Sequence, residues 1–260
     1  MKYKKVVTLL SNQIGRLRSK CVMKIDSAAL TDTGLVRTNN EDSYLNLPEY
    51  QLWAVADGMG GCEGGEIASA IAISQLKNAI VAGEDLVTAI EQCHQAVEQA
   101  VIDGFGAKGM GSTIVALNIK DKQYQIAWVG DSRCYLWRSK LKCLSKDHSY
   151  VQLMLDQGLI TEAEIESHPY KHAITQALGG IGSPVKVDSV TGILKQADIF
   201  LLCSDGLSGE VLADDIEQTL CSHDKTLEEK AKQLIDKALL SGGKDNIALI
   251  LVEIGTEMLK

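Results

Sequence analysis

The chain predicts an α+β fold in which antiparallel sheets carry helices on their outer faces. Strand-like apolar runs come in blocks and helical patterns come in pairs, whereas a doubly wound sheet would interleave them one for one. Three of the apolar runs, Leu52-Trp-Ala-Val-Ala-Asp57-Gly, Ile126-Ala-Trp-Val-Gly-Asp131-Ser and Ile199-Phe-Leu-Leu-Cys-Ser-Asp205-Gly, end on a carboxylate in a tight turn. Carboxylates placed at strand ends can converge on one point.

In chain order, alternation over Lys24 to Leu30 and the run Leu52 to Ala56 predict the first strands, with the polar stretch Thr31 to Glu41 as the loop between them. Glu66 to Ala82 is apolar almost all round, which predicts a helix covered on both sides. In the next helix Leu86, Ala89, Ile90, Cys93, Val97, Ala100 and Val101 recur at three-to-four spacing and define one apolar face. Thr113 to Ile119, Gln123 to Val129 and Arg133 to Trp137 follow on short turns, the pattern of an antiparallel meander. Residues 147–175 switch to short helices, among them a capping box at Thr161 and Glu164, and read as a flap on the same domain. Strands return at Val185 to Val190 and Ile199 to Cys203. A helix opened by Thr226 with Glu229 presents Leu227, Ala231, Leu234, Ile235, Ala238 and Leu239 on one face and stops at Gly242-Gly243. Ile247 to Ile254 closes the series as a strand.

The 260 residues suit one domain that buries roughly 70–75% of its unfolded surface. A mean hydropathy of +0.01 is that of an ordinary globular protein, and the longest apolar runs, about six residues, fall far short of the ~20 that span a bilayer. No transmembrane segment is expected. The seven cysteines are odd in number and form no C-x-x-C pair, the usage of reduced thiols in a cytoplasmic protein. Residues 1–25 hold seven Lys/Arg and no Asp or Glu, leaving 19 basic against 34 acidic residues in the remainder. The first 23 residues therefore read as a basic, disordered extension, and 24–255 as the single folded domain. So acidic a body argues against nucleic acid as a partner, since that binding draws on Lys/Arg neutralising phosphates.

One Asp-Gly turn is only a turn. Three aspartates after buried strands, joined by Glu41-Asp42 and by Asp245 in Gly242-Gly-Lys-Asp-Asn, are another matter, because converged carboxylates repel unless a cation neutralises them. All-oxygen donors suit Mg²⁺ or Mn²⁺. Two such ions about 4 Å apart activate a shared water and clamp a phosphoryl group during in-line displacement. Asp57 is the natural bridging ligand, with the Gly58 carbonyl beside it, and Arg37 offers a planar fork to phosphate oxygens. Other chemistries lack their residues. Neither glycine-rich stretch contains Gly-Lys-Ser/Thr, no Gly-x-Ser-x-Gly is present, and His168 and His172 have no third zinc ligand near them in sequence. His148, beside Asp147, is a site-adjacent candidate or a capping histidine.

Taken together, Gly34-Leu-Val-Arg37-Thr-Asn-Asn-Glu41-Asp42-Ser, Val55-Ala-Asp57-Gly-Met-Gly-Gly61, Gly111-Ser-Thr113, Gly130-Asp131-Ser-Arg133, Leu202-Cys-Ser-Asp205-Gly-Leu and Lys244-Asp245-Asn246 resemble, in order and spacing, the metal-dependent protein phosphatases of type 2C, in their compact bacterial form. The resemblance implies a four-layer α-β-β-α sandwich, two antiparallel sheets between pairs of helices. It also implies hydrolysis of phosphoserine and phosphothreonine on proteins, reversing a serine/threonine kinase, by a hydroxide activated on two Mn²⁺ or Mg²⁺ ions. By the same resemblance Asp57 bridges the ions, Gly58 ligates through its carbonyl, and Glu41, Asp205 and Asp245 complete the pair. Asp42 holds a water, Asp131 ligates a third, weaker ion, and Arg37 binds phosphate. Met59 stands where animal relatives carry a histidine proposed to protonate the leaving oxygen, and Gln176 where many relatives have arginine. A monomer acting on phosphoproteins is the expectation. The alternatives are a catalytically silent partner-binding relative and a hydrolase of small phosphomonoesters.

Overall fold

The computed structural model of the chain describes residues 21–258 apart from 61–63, 166 and 181–183. Most of the expected basic extension lies outside the described residues, and the first strand is already under way at Cys21. The elements run β1 (Cys21–Asp32), β2 (Asp42–Leu47), β3 (Leu52–Met59), α1 (Gly65–Ala82), α2 (Leu86–Ile102), β4 (Gly111–Ser112), β5 (Ile114–Lys120), β6 (Gln123–Val129), β7 (Arg133–Trp137), β8 (Leu141–Cys143), α3 (Tyr150–Asp156), α4 (Glu162–Ile165), β9 (Asp188–Ile193), β10 (Ile199–Cys203), α5 (Asp205–Ser208), α6 (Ala213–Cys221), α7 (Leu227–Leu240) and β11 (Ile247–Met258).

One sheet has the order β1-β11-β10-β7-β8 and the other β2-β3-β5-β6-β9, with β4 paired to the end of β3. Every pairing is antiparallel. Period-two alternation sorts the side chains into layers. In β3, Leu52 and Ala54 face α1 and α2, while Trp53 and Val55 face the other sheet. The middle layer joins Trp53, Leu117 and Ile126 to Phe200, Leu202 and Ile250; a third layer packs Leu201, Leu249 and Leu251 against Leu220, Ala231 and Leu234 of α6 and α7. Each large side chain so buried contributes roughly 1.5–3 kcal/mol. Three apolar layers between four layers of backbone make the expected α-β-β-α sandwich.

Three local expectations change. β2 is not among the expected strands; as an edge strand it is only partly buried over Asp42-Ser-Tyr-Leu-Asn-Leu, so its apolar alternation is faint. The meander does not exist, because β6 and β7 lie in different sheets: the turn at Gly130, with φ at +102°, carries the chain across the sandwich. Nor is α1 covered on both sides. Ala68, Ala72, Leu76 and Ala79 face inward, while Ala70, Ser74, Lys77 and Asn78 are exposed. The Thr226–Glu229 capping box opens α7 as expected, the strand expected over Val185 to Val190 forms three residues later as β9, and Asp85 caps α2 through the Val87 and Thr88 amides.

Candidate metal and phosphate site

The strand ends carrying the carboxylates meet at one rim of the sandwich. Asp42 and Asp57 are directly paired across β2 and β3, so like charges face each other on one side of the sheet. The Asp57 peptide is held at both ends. Its N–H donates to Thr113 Oγ1 (3.1 Å), and its carbonyl accepts from the Thr113 N–H (2.8 Å) and Ser112 Oγ (3.0 Å). Thr113 Oγ1 lies 2.7 Å from Ser132 Oγ, which ties this strand end to the turn bearing Asp131. At Gly58 the N–H donates to the Glu41 carbonyl (3.1 Å), and a Cβ would sit 2.0 Å from the Gly65 carbonyl oxygen. Only glycine allows that approach.

Asn246 closes the loop before β2. Its Oδ1 accepts from the Glu41 N–H (2.8 Å), and its Nδ2 donates to the carbonyls of Thr33 (2.9 Å) and Asn39 (2.8 Å). Glu41 is thereby fixed beside Asp245. Ser204, at the end of β10, donates to Asp42 Oδ2 (2.6 Å) and accepts from the Ala248 N–H (2.9 Å). The resulting cleft has a volume of about 900 Å³, and Arg37, Glu41, Asp57, Gly58, Asp131, Asp205 and Asp245 all line it. Asp42 stands behind it, 8% exposed.

Burial, and then the charges of Asp42 and Asp205, hold the Asp57 carboxyl well above the usual carboxylate range. Burial pushes Asp42 up to about 8 despite the Ser204 hydrogen bond. Burial, with Asp205 next, lifts Asp131 to about 7. Asp205 is raised by burial and by Asp245, and Glu41 by burial, which outweighs Arg37. Two contacts occupy oxygens facing the cleft: Asp57 hydrogen-bonds Asp205, and Arg37 Nη2 donates to Asp245 Oδ2 at 2.7 Å. As these side chains stand, no three His, Cys, Asp or Glu groups among the described residues form a ready cage around one ion.

The donor set nevertheless fits hard divalent cations. It is carboxylate and carbonyl oxygen, it holds more acid than it can ionise alone, and Asp42 Oδ1 is buried without a hydrogen-bond partner. A cation would offset the burial and the mutual repulsion that raise Glu41, Asp42, Asp57, Asp131 and Asp205.

A family model described as Protein phosphatase 2C matches residues 36–241. The chain belongs to the protein phosphatase 2C family. The serine/threonine phosphatase stp of Listeria monocytogenes serotype 4b is 37% identical to this family member over 237 residues, covering 86% of this chain and 93% of the relative. Among solved structures, the Mycobacterium tuberculosis serine/threonine phosphatase PstP/Ppp superposes with a TM-score of 0.80 at 35% identity, over 89% of this chain and 99% of that one. A catalytic domain of PstP in complex with two manganese ions has a TM-score of 0.79 at 33% identity, over 90% of this chain and all of the other.

The histidines of this family member part company. His172 reaches the cleft from the segment 147–175, its Nδ1 3.9 Å from Asp205 Oδ2, while His168 lies against the rings of Tyr150 and Tyr170. His148 is buried: Nδ1 accepts from the Gly130 N–H (3.2 Å), so the proton sits on Nε2, which faces Asp188 Oδ2 at 3.3 Å. It therefore anchors the start of the segment 147–175 to the Asp131 turn. Arg133 does the same, donating from Nε and Nη2 to both oxygens of Asp147 at 2.7–3.2 Å. Gln176 accepts from the Lys186 N–H (3.1 Å). Sequence reasoning assigned no role to Ser112, Ser132, Ser204 or His172. For Ser132 and Ser204 the available signal was a hydroxyl residue adjacent to Asp131 and to Asp205.

Proposed function

We propose that this chain hydrolyses phosphoserine and phosphothreonine monoesters on proteins, reversing a cytoplasmic serine/threonine kinase as a monomer. Residues 24–255 are its catalytic unit and 147–175 its flap. The observation that carries the reading is the convergence of Glu41, Asp57, Asp131, Asp205 and Asp245, from five separate segments of the chain, on one cleft beside Arg37.

Asp57, the Gly58 carbonyl, Glu41, Asp205 and Asp245 would hold two divalent ions, Mn²⁺ or Mg²⁺, and Asp131 with Asp205 a third. Bound there, such ions supply a water of lowered pKa and neutralise phosphoryl oxygens. The protein's own part is placement. Arg37 leaves Asp245 and presents its fork to the phosphate, fixing the phosphorus against the carboxylate rim. Asp42, behind the rim and held by Ser204, accepts a hydrogen bond from an ordered water and so orients it. Met59 has no proton to give, so the leaving oxygen takes its proton from water in the cleft.

Phosphate release from a phosphothreonine peptide, followed with Mn²⁺, with Mg²⁺ and with excess EDTA, tests this. Turnover is expected with a metal and lost with EDTA, and Asp57→Asn is expected to lower it by about 10³-fold or more. Full activity of that variant would overturn the reading. Turnover of sugar phosphates alone would move the substrate class to small phosphomonoesters.

A further inference from the structure

Beside the cleft lies a second concavity of about 250 Å³, lined by Met59, Lys108 to Gly111 and Ala177 to Gly180. Met59 is common to both, so the two share a wall immediately after Asp57 and Gly58. The pocket is built into the fold. Leu178 exchanges both backbone hydrogen bonds with Ser112 (2.8 and 3.2 Å), and the Gly179 N–H donates to Nδ1 of the buried His94 (3.0 Å). Its walls are kept open by missing side chains. A Cβ on Gly111 would lie 2.8 Å from the Leu178 carbonyl oxygen and 3.6 Å from Met59 Cγ, closing the space between them. What remains is thioether, methyl and methylene surface, with Lys108 the only charged lining residue among the described residues.

We propose that this pocket is a substrate subsite, which seats an apolar side chain lying within two residues of the phosphorylated residue. The proposal rests on the phosphoprotein reading of the adjoining cleft. Continuity decides the occupant. A phosphoserine or phosphothreonine whose phosphate meets Arg37 and the carboxylates has its own backbone at the cleft mouth, and a residue advances an extended chain by about 3.3 Å. Its near neighbours in the peptide therefore pass over Met59. A flexible methionine wall accommodates Leu, Met, Val or Phe without demanding one shape. Polar or charged neighbours would lose water there with few partners to replace it. The pocket thus gives the phosphatase a sequence preference independent of the phosphate site.

Initial rates on phosphothreonine peptides test it, each peptide carrying Leu, Asp or Gly at one flanking position in an otherwise fixed sequence. At one position within two residues of the phosphothreonine, kcat/KM for Leu is expected to exceed that for Gly by about tenfold, with Asp no better than Gly. Gly180 lines the pocket and has open space where a Cβ would go, so Gly180→Leu adds a bulky side chain at the pocket wall, and in that variant the Leu/Gly ratio should fall to near one. A ratio near one at every position of the wild type, or a ratio unchanged in Gly180→Leu, overturns the proposal. Should that variant fail to fold, ¹³C-methyl methionine NMR of the wild type under Ca²⁺ replaces it. The Met59 and Met110 signals should both shift with the Leu peptide, and Met110 should stay put with the Gly peptide; an unmoved Met110 with both overturns the subsite. Turnover of the Gly peptide separates the two claims, since its absence with every peptide condemns the phosphoprotein reading itself.

Discussion

At the scale of single residues, the site is a place where the fold accepts repulsion. Asp42 and Asp57 are register partners, and Asp205 and Asp131 lie close enough to raise each other or Asp57. Replacing Asp57 by Asn removes one buried carboxyl at little change of shape. In EDTA at pH 8 the Asp57→Asn protein should melt about 2–4 °C higher than the wild type, the shift that ~1 kcal/mol gives in a chain of this size, even as its activity disappears. Calorimetry of the two proteins decides it; a lower melting temperature would mean that the carboxylate is structural. Arg37 stands at the opposite extreme, exposed and tied to Asp245. Arg37→Ala should raise KM for a phosphopeptide by about 10- to 100-fold, the worth of a charged hydrogen bond, with kcat within a few-fold. Steady-state kinetics that showed kcat falling and KM fixed would give Arg37 a role in the reaction step instead of in capture.

At the scale of elements, the segment 147–175, the proposed flap, is joined to the sandwich at its root. Asp147 takes both arms of Arg133 from the start of β7, and the His148 backbone pairs with Gly130 and Thr175. Past that root, Leu153 of α3 and Leu159 in the turn after it are exposed, and α4 buries none of its residues. The flap should thus open locally at far lower free energy than the sheets. Asp147→Ala should lower global stability by about 1–3 kcal/mol, since it leaves a half-buried guanidinium unpaired, and should speed amide exchange across residues 148–175 more than in β5 or β10. Urea titration together with hydrogen exchange measures both; uniform acceleration throughout the chain would show that the root is not a separate joint. The same ion pair holds the turn carrying Asp131, so the variant should also weaken the response to high metal concentration.

At the scale of the whole molecule, the acidic rim links folding to pH and metal. Asp42 near 8, Asp131 near 7 and the raised Asp57 and Asp205 all lie above the ~3.9 of an unfolded aspartate. Without metal the folded chain then binds more protons than the unfolded one over about pH 4 to 8, so the stability these groups confer is full below ~4 and lost as pH rises to 8. The melting temperature of EDTA-treated protein should therefore fall between pH 5.5 and 8. Saturating Mn²⁺ should raise it and flatten the slope, because a ligand bound only by the folded state adds stability and favours the charged carboxylates. A pH-independent melting curve in EDTA would contradict the burial of these groups. Much of this was legible beforehand. Strand periodicity, the Asp-Gly ends and the Thr226 and Glu229 cap are local, each determined by a residue and its near neighbours in the chain, and they specified the fold class and the candidate carboxylates. What crosses the sandwich was not. The turn at Gly130 looks like any hairpin turn until β7 pairs with β10, β2 declares itself only against β3, and Asn246 shows its purpose only once Thr33 and Asn39 close around it. Sequence alone determined which side chains could act, because propensity and chemistry are local; tertiary structure decided which of them meet, because register, sheet membership and burial belong to contacts made far along the chain.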